Sequence, residues 1–103
     1  MIDKSKILRK AIQYYGHFKQ HSVCMEECGE LIQAISKFLR ATTATEMLKA
    51  RKGIVEELTD VQICLDELRI MHDISDKELE DEYNFKLVRL NGRVEDGNIE
   101  DSI

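Results

Sequence analysis

The 103-residue chain has no proline and no tryptophan, and phenylalanine and tyrosine together supply only 6% of it. Sheet sandwiches and Pro-rich disordered chains draw on those residues, so their scarcity points away from both. No apolar run approaches the roughly 18 residues that a membrane span requires. The opening residues carry no signal-peptide pattern, so a cytoplasmic location without membrane contact is expected. Cysteine is sparse too. Cys24, Cys28 and Cys64 are odd in number and follow no CxxC spacing, which reads as reduced thiols and not as a disulfide framework. Strong charge of one sign is also missing. The formal net charge is −5, and most of it comes from Glu95, Asp96, Glu100 and Asp101 in a stretch without Lys or Arg. Residues 1–93 are therefore nearly neutral, a poor surface for wrapping a nucleic acid polymer.

What the chain does have is helical periodicity. Ile7, Leu8, Ala11, Ile12 and Tyr15 recur at helical spacing and predict a first helix over about 3–15, loosened or ended by Gly16. A second is expected over roughly 20–40, stopping in Ala41-Thr42-Thr43. A third should start near Thr45 and run to about His72, with Ile54, Leu58, Val61, Leu65 and Leu68 as its apolar stripe. Ser75 and Glu78 form the two ends of a capping box that opens a fourth helix, running to about Arg93. Alternation at period two is absent, so the fold class is all-α. One helical domain over 1–93 is expected, followed by an acidic, frayed tail over 94–103. A chain of this size buries only about 60–65% of its unfolded surface, so its own core is thin.

The informative residues are carboxylates. On a helical wheel Glu27 falls in the middle of an apolar face, with Val23, Cys24, Leu31, Ala34, Ile35 and Phe38 within about 80° on either side. Glu30 lies about 60° away at the edge of that face. On the third helix Glu57 lies about 60° from the centre of the stripe, and Asp60 about 60° further out. Two helices thus each present a pair of acids at spacing i, i+3 on or beside a buried face. Antiparallel packing would gather all four. Clustered buried carboxylates are costly unless they take up protons or hold a cation. A hard divalent ion such as Mg²⁺, with Mn²⁺ as a substitute, suits an all-oxygen ligand set.

The run Glu26-Glu27-Cys28-Gly29-Glu30-Leu31, followed by Glu57-Leu58-Thr59-Asp60-Val61, resembles the EExxE…ExxD signature of the MazG-like nucleoside triphosphate pyrophosphohydrolases. The resemblance covers roughly residues 17–93. It implies a four-helix bundle completed by homo-oligomerisation, as a homodimer or homotetramer. It further implies hydrolysis of a nucleoside triphosphate substrate to the monophosphate and pyrophosphate, in the service of nucleotide-pool cleaning. Carried onto this chain, it implies that Glu27, Glu30, Glu57 and Asp60 hold Mg²⁺. Glu26 matches the first acid of the motif and is either an outer partner of the metal ligands or the catalytic group that orients the attacking water. Asn84-Phe85-Lys86-Leu87-Val88-Arg89 resembles the family's N-x-K…R pattern, which implies phosphate or nucleotide contacts from Asn84, Lys86 and Arg89. Arg93 extends the basic row by one turn.

Other constellations compete with this one. His17, His21, Cys24 and Cys28 share a narrow helical stripe but span too much rise for one tetrahedral zinc ion. Packing in a core or interface is the simpler role for Cys24, Cys28 and Cys64. A di-iron carboxylate site would need Glu-x-x-His, which is missing. Tyr14, Tyr15, Phe18 and Phe38 are expected in the core, with a base-stacking platform as the alternative for one of them. Met25, Ile32, Leu39, Ile63 and Ile70 give the second and third helices another apolar face. It is either a subunit interface or, in a non-enzymatic helical dimerisation or interaction module, a docking face for another protein.

Overall fold

The computed structural model describes residues 1–97, and the remainder of the expected acidic tail, 98–103, lies outside the described residues. All regular structure among the described residues is helical: α1 (Lys4–Tyr15), α2 (His17–Arg40), α3 (Ala44–Met71) and α4 (Asp76–Glu95). The all-α expectation is met. No described helix is long and apolar enough to cross a membrane. The chain divides into two compact units, Met1–His72 and Asp73–Ile103.

In the first unit a single residue, Gly16, separates α1 from α2. Its backbone, at φ 89° and ψ 158°, is in a region closed to most side-chain-bearing residues. Its N–H donates to the Ile12 carbonyl at 2.8 Å, ending α1 and letting α2 start at His17, three residues ahead of the expected start. Thr43 caps α3 by accepting the Glu46 N–H at 3.1 Å, so the helix starts a residue before Thr45. The Glu46 carboxylate reaches back to the Thr43 hydroxyl at 3.1 Å. Only three residues join α2 to α3, which forces an antiparallel helical hairpin.

The register of that hairpin is fixed by its buried contacts. Gln20 donates its side-chain amide to the carboxylate of Glu67, and both residues are buried. The Cys24 thiol lies 3.5 Å from the Cys64 carbonyl oxygen. Continuing this pairing sets Glu27 beside Asp60, Glu30 beside Glu57, and Ala34 beside Gly53. Leu8 and Ile12 of α1 are also buried, and Lys4 pairs with Asp66 at 2.8 Å. The core is as thin as the chain length requires: Leu8, Ile12, Cys24, Ala34, Val61 and Cys64.

The second unit is built on α4. Ser75 and Glu78 form the expected capping box, the Ser75 hydroxyl accepting from the Glu78 N–H at 3.1 Å. Hydrogen bonds to Ser75 hold the Glu78 carboxyl below its ordinary range. The helix continues through Val94 and Glu95, two residues expected in the tail, and is stitched by Lys77–Asp81 at 2.7 Å.

Candidate metal centre

The buried face of α3 differs in phase from the stripe read in the sequence. Val61, Cys64 and Glu67 are its buried residues, whereas Leu58 and Leu65 are 53% and 46% exposed. The face is thus centred near Cys64, and Glu57 lies in its middle, as Glu27 does on α2, and not at its edge. Both acids are half-buried, while Glu30 and Asp60, one turn away, are exposed.

One carboxylate oxygen from each of Glu27, Glu57 and Asp60 lies within 4.8 Å of the others. The fourth expected ligand, Glu30, is close enough that its charge is the strongest single charge acting on Glu27 and Glu57. The Oε2 atoms of Glu27 and Glu57 are buried and accept no hydrogen bond among the described residues. Burial first, then the charges of Glu30, Asp60 and Glu57, push the Glu27 carboxyl up from 4.5 to about 7. Burial and the charges of Glu30 and Asp60 raise Glu57 as well. Among the described residues none of these four acids has a basic partner within 4.0 Å, which leaves two ways to relieve this: bind protons or bind a cation. The donor set is all oxygen, which fits Mg²⁺ or Mn²⁺ and not a soft metal.

Glu26 is exposed and on the same helix edge as Glu30, one turn before it, outside the group of converging oxygens. Lys86, Arg89 and Arg93 occupy one face of α4, but Asn84 lies about 160° around the helix from Lys86. Lys86 is 3.9 Å from Glu82, and the Arg89 guanidinium lies 5.9 Å from the Phe85 ring centroid.

Beside the acids, the seam between α2 and α3 opens into a groove of about 990 Å³. Glu30, Glu56 and Glu57 line one end, Ala34, Ala50 and Gly53 leave its floor open, and Lys37, Arg40, Lys49 and Lys52 line the remainder together with Glu46. These four cations were not among the expected site residues. Their signal was available: they flank the 41–43 loop on both sides, and an antiparallel hairpin folded at that loop must bring them together.

At the opposite end of the hairpin the zinc reading of His17 and His21 gives way to another arrangement. His21 Nδ1 lies 2.6 Å from the His17 carbonyl, which can only accept, so that nitrogen carries the proton. His21 Nε2 and His72 Nε2 share a hydrogen bond at 2.8 Å, tying α2 to the end of α3. Cys24 and Cys64 are buried, and burial raises both thiols, Cys64 to about 12, which holds them in the protonated form. Cys28 is exposed. Tyr14, Tyr15, Phe18 and Phe38 are exposed as well, contrary to the expected core role, because the buried faces of α1 and α2 run through Leu8, Ile12, Gln20, Cys24 and Ala34 instead.

No protein-family model, no curated protein and no solved structure matches the chain.

Proposed function

We propose that the chain is a Mg²⁺-dependent, MazG-like nucleoside triphosphate pyrophosphohydrolase. The observation that carries this reading is the convergence of Glu27, Glu57 and Asp60 within 4.8 Å across two helices, with two buried carboxylate oxygens left unbonded. A structural hairpin gains nothing from carboxylates at the middle of both buried faces, where they oppose folding. Glu27, Glu30, Glu57 and Asp60 would hold the ion. When bound, a divalent cation neutralises phosphate charge and acidifies a coordinated water.

The reaction adds water across the α–β phosphoanhydride bond. The bridging oxygen separates from one phosphorus and leaves with the other, the water oxygen ends on the phosphorus that lost it, and a carboxylate takes the water's proton. Glu26 suits that last task because it lies one residue from Glu27 and outside the converging oxygens, free to accept a proton. The rigid hairpin contributes positioning, since its register is locked by Gln20–Glu67 and Cys24–Cys64 on the side of the acids toward α1.

The test is pyrophosphate release from a panel of canonical and modified nucleoside triphosphates, with Mg²⁺ and with a chelator, for the wild type and Glu27→Gln. Release that requires Mg²⁺ and falls at least about a hundredfold in the variant is the expected result. Equal activity in the two proteins refutes the assignment of Glu27. Silence across the whole panel favours the non-enzymatic interaction module.

A further inference from the structure

The groove between α2 and α3 has a polarity that the metal ligands alone do not explain. Three of its four acids, Glu30, Glu56 and Glu57, lie toward the end shared with the metal centre, Glu56 one turn from Lys52 on α3. Glu46, the one acid toward the loop, is committed to Thr42 and Thr43 at the start of α3. Lys37 and Lys49 face this cavity from opposite helices, with Arg40 and Lys52 beside them, and none of the four has a carboxylate partner within 4.0 Å among the described residues. Lys37 and Arg40 in the last turn of α2 complement the helix dipole. No such effect favours Lys49 and Lys52, which lie in the N-terminal third of α3. From Glu30 to Lys37 the rise along α2 is about 10 Å. One ligand with a string of negative groups can therefore meet the metal ligands at one end and these ammonium groups at the other.

We propose that this groove holds the terminal phosphates of the substrate, the pair released as pyrophosphate, with Lys37 and Lys49 as their principal cations and Arg40 and Lys52 in support. The assignment rests on the pyrophosphohydrolase reading and adds an orientation to it: the departing phosphates point toward the 41–43 loop and the nucleoside points away from it. The small residues belong to the same design. A Cβ added at Gly53 meets no atom within 4 Å, so a side chain there has room to enter the groove.

The experiment is calorimetric titration of inorganic pyrophosphate, with and without Mg²⁺, into the full chain as wild type, Lys37→Ala, Lys49→Ala and Gly53→Leu. Lys77→Ala, on the second unit and paired with Asp81, is the control. Each groove lysine removed should weaken binding about tenfold, the range of a charge-assisted hydrogen bond. Gly53→Leu should weaken binding at unchanged helicity, and Lys77→Ala should match the wild type. Wild-type affinity in both groove-lysine variants, or no pyrophosphate binding by the wild type, overturns the proposal. Pyrophosphate release from nucleoside triphosphates, followed on the same preparations, separates the two readings. Binding through Lys37 and Lys49 without hydrolysis keeps the groove assignment and refutes the hydrolase. Hydrolysis indifferent to the groove variants keeps the hydrolase and refutes the groove assignment.

Discussion

At the scale of single residues, the half-buried acids make stability and chemistry oppose each other. Glu27 titrates at about 7 in the folded chain and near 4.5 when unfolded. Below about 4.5 both states hold the proton and this group gives no pH dependence. Between 4.5 and 7 the native state holds a proton that the unfolded chain has lost, so stability falls as pH rises. Above about 7 the penalty is fully present. The metal-free protein should therefore melt at a lower temperature at pH 8 than at pH 5.5. Glu27→Gln should flatten that slope and raise the melting temperature at pH 8 while abolishing hydrolysis. Thermal melts across pH with a chelator present check both. A slope of the opposite sign would mean that the acids are solvated. The placement of Glu27 was legible because Val23, Cys24, Leu31, Ala34, Ile35 and Phe38 surround it on one face, apart from the second row of Met25, Ile32 and Leu39. Glu57 was misphased because Ile54, Leu58 and Leu65 suggested a stripe to one side of the residues that α3 actually buries.

At the scale of elements, the local signals that were strong survived. The Ser75–Glu78 capping box and the break at Gly16 are both where the sequence put them, since each depends only on neighbours in the chain. The hairpin register was not legible, because it is set by contacts far apart in sequence, chiefly Gln20 with Glu67. That amide is the donor to a carboxylate on a residue only 5% exposed. Gln20→Ala should lower unfolding stability by about 1.5–3 kcal/mol, measured by urea denaturation, because it leaves that charge buried without its partner. Gly16→Ala should cost about 1–3 kcal/mol in the same assay, as alanine is forced into a backbone region that its Cβ disfavours. A change within a few tenths of a kcal/mol in either variant would show that the α1–α2 junction or the seam is looser than described.

At the scale of the whole molecule, the first unit carries an outward apolar row on α2. Phe18, Met25, Ile32 and Leu39 are between 68% and 87% exposed and lie on the side of the helix away from its buried face. The reading as a homo-oligomer assigns this row to a second copy, which also explains how so thin a core suffices. Sedimentation of the wild type should give a dimer or tetramer, and Ile32→Glu should shift it to monomer. A wild type that sediments as a monomer contradicts that assignment. The metal centre is tested most directly by isothermal titration of Mg²⁺ near pH 7 in two buffers of different ionisation enthalpy. The wild type should bind the ion and release a fraction of a proton, because part of the Glu27 population is protonated there. Glu27→Gln should bind far more weakly and release less. Absence of binding by the wild type, or binding untouched by the substitution, would contradict the claim that these carboxylates form a metal site.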